Sequence, residues 1–238
     1  PTISMLATSR TVLDLQEDWL HTVDRLLCPS PEDNLDEIEN NSAVQLFLDR
    51  AQRSDSSLML ADEVQPALLA DIVRICHLVD GLPLGIELAA TWVRSLNVHE
   101  IADEIEGSLD FLATTRRGIP QRHSSLRTVL EQTWKLLTSN EQNAFCKLAH
   151  FQDGFTRQAA KRVADTSMVV LAALVRKSII NHSHTGRYSM LGMLRQFAAE
   201  KLHENSTLAH DAADKHSRYY GGHLQTLEAD LLGKNHAS

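Results

Sequence analysis

Through most of the chain, apolar positions recur every three or four residues, the spacing that gathers them on one face of an α-helix. Two stretches depart from it. Ile3-Ser4-Met5-Leu6-Ala7 is a compact apolar run ending in the polar Thr8-Ser9-Arg10, the pattern of a buried strand. One strand cannot form a sheet, and nothing further along supplies several strands of that kind. The expectation is therefore a remnant of a larger α/β domain whose other strands lie upstream. The second departure is Ser178-Ile179-Ile180-Asn181-His182 and Arg187-Tyr188-Ser189-Met190 flanking His184-Thr185-Gly186, which predicts a small hairpin.

Between these, the helices order themselves by their ends. Cys28 to Asn41 is acidic and turn-rich (Pro29, Pro31, Asp33, Asn34, Asp36, Glu37, Glu39) and reads as a surface connection. Ser42-Ala43-Val44-Gln45 has capping-box spacing and opens a helix. The next spans Val64 to Asp80, with Leu68, Leu69, Ile72, Ile75, Cys76 and Val79 on one stripe. Gly81 is placed to stop it in a left-handed conformation, and Pro83 to start the following helix, where its missing N–H costs nothing. Leu84 to Leu96 is apolar on nearly every side except Glu87 and Arg94, so a buried helix is expected, with Glu87 either partly buried and paired to a nearby cation or helix end or on a polar stripe touching water at a subdomain seam. Asn97 to Glu100 caps a fourth helix, ending near Gly107. Arg116 to Arg122, basic and containing Gly and Pro, resembles a linker. Helices follow at 124–136, at 141–149 behind the box Ser139-Asn140-Glu141-Gln142, at 157–164 and at 167–177. Helices followed by a hairpin is the winged-helix order. Leu191 to His203 closes that unit, and Ala209 to Leu232 begins another helix.

The expected fold is thus mostly α in four parts. Residues 1–27 hold the terminal strand and connection of a truncated α/β domain, 28–115 a four-helix subdomain, 116–204 a winged-helix subdomain, and 205–238 the start of a further helical region.

Composition narrows the function. Over 238 residues, 23 Lys and Arg stand against 31 Asp and Glu, a net charge of −8, which argues against wholesale nucleic-acid binding but leaves room for a local basic face. Three cysteines without C-x-x-C spacing exclude a disulfide scaffold and suit a reducing compartment. No apolar run approaches the roughly 20 residues of a membrane span, and no signal-peptide order opens the chain, so a cytoplasmic protein with no membrane partner is expected. His182 and His184 form a close pair with no further ligand at metal spacing, and Cys76 and His77, adjacent on a helix, point about 100° apart and cannot act as nucleophile and base.

DNA binding by the winged helix is the rival function. From Arg157 to Arg187 there are six basic residues (Arg157, Lys161, Arg162, Arg176, Lys177, Arg187) against Asp165 alone. Yet the helix that would enter the major groove, Ser167 to Lys177, offers almost no hydrogen-bonding side chain before its last turn, and base readout needs Arg, Asn or Gln there. A packing surface is expected, and nucleic acid is not an expected partner of this unit.

Three segments, Leu6-Ala7-Thr8-Ser9-Arg10, Gly81-Leu82-Pro83-Leu84-Gly85-Ile86-Glu87-Leu88-Ala89-Ala90 and Tyr188-Ser189-Met190-Leu191-Gly192-Met193-Leu194-Arg195-Gln196-Phe197-Ala198, resemble in this order the C-terminal part of the nucleotide-binding core of STAND regulatory ATPases of the NB-ARC type. The resemblance implies a signalling switch in which these subdomains form a lid over ADP or ATP held by an upstream P-loop domain, with helical repeats downstream and a homo-oligomer on activation. It implies that Arg10 senses the terminal phosphate, that Pro83 packs on the adenine beside Gly81 and that Leu84 belongs to the same contact. A surface arginine after a strand, and an ordinary Gly-stop, Pro-start helix junction, are the plainer accounts of the same residues. Met190-Leu191-Gly192 departs from the Met-His-Asp triplet of many relatives, because Leu cannot donate a hydrogen bond to phosphate. No G-x-x-x-x-G-K-[ST] segment occurs and no apolar strand ends in paired acids, so this chain alone is not expected to hydrolyse ATP. ADP or ATP is expected in the full-length parent, and none on the fragment by itself.

Overall fold

The computed structural model describes residues 23–54, 65–113 and 125–234, with Thr8 and His21 besides, and side chains of the last helix as far as Thr226. The expected strand at 3–10 and linker at 116–122, and with it the boundary at 115/116, lie outside the described residues. Contacts divide the chain into a unit of residues 22–136 and a second holding 137–238. The described chain is mostly helical, with one small antiparallel sheet.

The first unit contains α1 (Leu35–Glu39), α2 (Ser42–Ser54), α3 (Pro66–Leu78), α4 (Pro83–Ala90), α5 (Val98–Gly107) and α6 (Leu126–Lys135). α2 packs on α4 and α3 on α5, closing a core of Phe47, Ile72, Ile75, Ile86, Leu88, Ile101, Leu109 and Leu112. The short α1 lies where a plain connection was expected. It buries no side chain and is held by the reciprocal hydrogen bonds of Asn34 and Glu37, a capping box inside the turn-rich segment. At α2 the expected box of Ser42 and Gln45 does not form; Asn41 Oδ1 accepts from the Ala43 amide at 2.9 Å and Ser42 is already helical. The expected helix over 84–96 is shorter than its apolar pattern. α4 stops at Ala90 and tightens into a 3₁₀ turn over Thr91–Arg94, where the Thr91 hydroxyl donates to the Leu88 carbonyl at 2.7 Å and Trp92 stacks on Phe111. Glu87 is both paired and in contact with solvent: Arg50 Nε and Nη2 reach its Oε1 at 3.1 and 2.9 Å, and its side chain is 40% exposed.

The second unit runs α7 (Ser139–Leu148), β1 (Phe155–Thr156), α8 (Arg157–Val163), α9 (Met168–Arg176), β2 (Ile180–His182), β3 (Arg187–Met190), α10 (Gly192–His203) and α11 (Ser206–Lys234). The box before α7 sits one residue earlier than its spacing suggests, with Thr138 and Glu141 as partners. The hairpin gains a third strand, in the order β1-β3-β2, all antiparallel, with Phe155 opposite Tyr188 and Ile180 opposite Met190. β1 has two residues, too few to show alternation. Gly154 delivers it at φ +81, where an added Cβ would sit 2.5 Å from the Tyr188 carbonyl oxygen. α7 lies on α10, and Phe145, Leu148, Phe155, Leu171, Leu174 and Phe197 fill the interior.

Charge fixes α11 to this unit. The Lys147 side chain is only 8% exposed, and its ammonium lies 2.6 Å from Asp165 and 2.5 Å from Asp211. Lys215 meets the same two carboxylates at 2.6 and 2.9 Å. Burial pushes the Asp165 carboxyl up, but the two ammonium groups outweigh it and hold it below the usual carboxylate range. Hydrogen bonds from Lys147 and Lys215 lower Asp211, and the aspartates raise Lys215. Beside this square, His150 and His216 lie 6.0 Å apart, with Phe151 and Tyr220 against the His216 ring. Burial, then the neighbouring His216, pulls His150 below the ordinary imidazole value; burial alone lowers His216. His150 Nδ1 is buried with no hydrogen-bond partner.

Two outcomes follow for stability. Removing Lys147 leaves two carboxylates sharing Lys215, so Lys147→Ala should cost about 3 kcal/mol, whereas loss of the more exposed Lys215 should cost under about 1 kcal/mol; urea titration of both variants measures the difference. Both histidines bind protons more readily unfolded than folded, so their neutral forms support the fold above an ordinary imidazole pKa of about 6.5 and that support fades below it. The urea midpoint of this unit should fall between pH 7.5 and 5.5, and a His150→Leu/His216→Leu variant should flatten that fall.

Candidate functional site

The sequence-singled Gly81-Leu82-Pro83-Leu84 is the joint between α3 and α4. α3 ends at Leu78, and Asp80 and Gly81 both take left-handed backbone, φ 54 and 65, which folds the Gly81 amide back onto the Cys76 carbonyl at 2.9 Å. Pro83 then occupies the first helical position of α4.

What demands glycine is a second strip of backbone. Residues 23–30, without regular secondary structure, run beside the joint, and the Leu26 amide donates to the Gly81 carbonyl at 3.1 Å. An added Cβ at 81 would lie 2.0 Å from the Leu26 carbonyl oxygen and 3.3 Å from Cys28 Sγ. Further bonds fix the same strip: the Cys28 thiol donates to the Cys76 carbonyl at 3.2 Å, His77 Nε2 to the Pro29 carbonyl at 2.9 Å, and Arg25 lies 3.7 Å from Asp80. Gly85 is small for another reason, since a Cβ there would meet Val79 Cβ at 2.8 Å. These steric demands leave Gly81 buried, Leu82 and Leu84 half-buried, and the Pro83 ring exposed on a rigid corner.

The structure therefore brings Gly81, Pro83 and Leu84 together, while Arg10 lies outside the described residues. Leu26, Cys28 and Gly85 belong to the same joint and went unread in the sequence; the only signal for Gly85 was its place among larger apolar residues. The thiols here are not poised for chemistry: burial pushes Cys76 up to about 12 and raises Cys28 as well. Elsewhere, Leu191 caps α10 with no side-chain hydrogen bond, and Gly192 is its first helical residue.

The second unit carries the basic residues. Arg157, Lys161, Arg162 and Arg176 are exposed, whereas Lys177 is bound to both oxygens of Glu141 at 2.9 and 2.7 Å and Arg187 donates to the carbonyls of Asp153 and Gly154. Burial would raise the Glu141 carboxyl, but the Lys177 ammonium and the Thr138 amide hold it below its ordinary value. Gln158, Lys161, Arg162 and Asp165 line a shallow concavity. The outer face of α9 is apolar, with Met168 48% and Val169 77% exposed. Among the described residues, no helix is long and apolar enough to cross a membrane, and no three His, Cys, Asp or Glu side chains group as metal ligands would.

No family model matches the chain, and no solved structure does. Its sequence is similar to that of a Mycobacterium tuberculosis H37Rv protein provisionally named an HTH-type transcriptional regulator, 32% identical over 230 residues that cover 92% of this chain and 24% of the relative. A Mycobacterium bovis protein of the same provisional name matches equally. An uncharacterized M. tuberculosis H37Rv protein is 28% identical over 176 residues, 69% of this chain and 44% of its own length. The chain thus spans about a quarter of the length of the regulators it matches.

A side chain at position 81 meets both a carbonyl and a positive φ, so Gly81→Ala should lower the stability of the 22–136 unit by about 2–4 kcal/mol. Gly107→Ala, where an added Cβ meets nothing within 4 Å, should leave it nearly unchanged. Thermal melts followed by circular dichroism compare the two.

Proposed function

We propose that this chain is a control segment of a transcriptional regulator, and that its Gly81-Pro83 joint is the lid of an ADP- or ATP-dependent switch of the STAND type. The regulator names of the relatives support the first half; they do not speak of nucleotide. The second half rests on one observation: the joint is braced from behind by residues 23–30, so that the Pro83 ring stands exposed and pre-positioned at the start of α4. A rigid apolar ring pays little entropy when a flat purine settles on it. In this reading Leu84 widens the apolar contact, Arg10 reaches the terminal phosphate as a permanently charged fork, and an upstream P-loop domain supplies Mg²⁺ binding and any phosphoryl transfer. The segment itself is not an enzyme. Exchange of nucleotide would shift the population between a closed and an open arrangement, the open one available for self-association.

The second reading is a winged-helix DNA-binding module, and the relatives' names favour it more directly than they favour a nucleotide switch. The order helix, strand, two helices, two strands, helix over 139–203 supports the winged-helix assignment. So does charge: residues 137–238 hold twelve Lys and Arg against nine Asp and Glu, while 22–136 hold ten against nineteen. Against base readout stands the apolar outer face of α9. The basic residues on α8 are better suited to phosphate contacts that carry no sequence information.

One experiment with two arms separates these readings. In the full-length regulator, Pro83→Ala and Arg10→Ala should each weaken binding of a fluorescent ADP by about tenfold; unchanged affinity in both removes the switch. In gel shifts with this chain, sequence-selective submicromolar binding to duplex DNA that disappears in an Arg157→Ala/Lys161→Ala/Arg162→Ala/Arg176→Ala variant would establish the DNA reading instead, and salt-sensitive, sequence-blind retention would refute base recognition.

A further inference from the structure

α11 is one continuous helix of 29 residues with two unlike halves. Its first half is docked: it contacts α7, α8 and α10, buries Ala212 completely, places Asp211 and Lys215 in the charge square, and sets His216 and Tyr220 against Phe151. Among the described side chains, docking ends at Tyr220. From Gly221 to Thr226 every side chain is exposed, including Leu224 at 67%.

At that point stand two adjacent glycines. Glycine inside a helix is less favourable than alanine because it must surrender more backbone freedom, and it is usually tolerated where a larger residue would collide. Here no collision explains it: a Cβ added at Gly221 or at Gly222 meets nothing within 4 Å. A third residue acts on the same turn. The Thr226 hydroxyl donates to the Gly222 carbonyl at 3.0 Å. That side-chain bond competes with the helical ladder, is associated with bending, and keeps the carbonyl satisfied when the ladder bond lengthens. A stack of the half-buried Tyr219 on the exposed His223, centroids 6.0 Å apart and planes 21° from parallel, spans the glycines on one side.

We propose that Gly221-Gly222 is a hinge, set at the last docked turn of α11, about which the helix from His223 onward swings relative to the body of residues 137–220. The charge square anchors one arm; the glycine pair frees the other. Whatever the distal arm carries is then reoriented by bending within a continuous helix, without separating α11 from its unit. The hinge stands on the packing of α11 alone and requires neither the nucleotide nor the DNA reading.

The test uses the 238-residue chain with Cys28→Ser and spin labels at the exposed positions 143 on α7 and 224 on α11. The label-to-label distance distribution should be broad, and should narrow in a Gly221→Ala/Gly222→Ala variant. In the same pair of proteins, hydrogen exchange of the amides from 223 to 234 should slow by about tenfold while that of 209–220 stays the same. A distribution already narrow with both glycines present, or distal amides as protected as the docked ones, would overturn the hinge. So would an alanine variant that leaves the width unchanged.

Discussion

The constraint on which the candidate site depends is a shortage of room. A carbonyl oxygen of the strip at 23–30 occupies the place where a side chain at position 81 would begin. Only glycine satisfies that contact, and the left-handed turn at Asp80-Gly81 that comes with it decides where α3 stops and at what angle α4 leaves. With α4 so directed, Ile86 and Leu88 enter the core, Glu87 faces Arg50, and Pro83 is left outside. Stability and presentation of the apolar corner are therefore one feature. A substitution that loosened the strip would move the proline as well as weaken the core.

The second unit is organised by a different force. The docked half of α11 lies on α7, α8 and α10 through small and aromatic residues, Ala212 and Tyr220 among them, and two lysines and two aspartates add charge to that contact. Such a square is demanding. Lys147 is desolvated, and its two carboxylates must both be present for its burial to be tolerated. Asp165 reaches it only from a left-handed backbone, φ 53, just past the end of α8. The device ties the start of α11 to a fixed position, while the described side chains from Gly221 to Thr226 are exposed, which is the mechanical condition a hinge needs.

These two forces explain what was legible in the sequence. Helix ends defined by neighbouring residues were readable: Asn97 with Glu100, Gly81 before Pro83, and Gly186 in the hairpin are signals confined to a few positions. The cap at α2 and the capping box at α7 each lie one residue earlier than expected, because Asn41 and Thr138, each beside a serine, are capping residues themselves. β1 escaped notice because two residues cannot display a period, and its existence is decided by Tyr188 some thirty positions later. The charge square was invisible for the same reason, its partners lying 18 and 64 positions from Lys147. Of the candidate site, the glycine and proline were legible as helix punctuation, but the strip that explains the glycine was not, since Leu26 and Cys28 carry no pattern.

The apolar face of α9 bears on how a chain of this kind resembles proteins named for DNA recognition. A helix that reads bases spends its outer face on hydrogen-bonding side chains, and α9 spends it on Met168 and Val169, with Arg176 only at its end. The aligned region is a quarter of the regulators' length, so their name need not describe this quarter. Within the second unit, Arg157, Lys161 and Arg162 on α8 face outward beside a shallow concavity, and Arg176 at the end of α9 and Arg218 on α11 are exposed as well. Three of the exposed cations thus cluster on α8, while the first turn of α9 presents Met168 and Val169 and carries its one exposed cation, Arg176, at the opposite end.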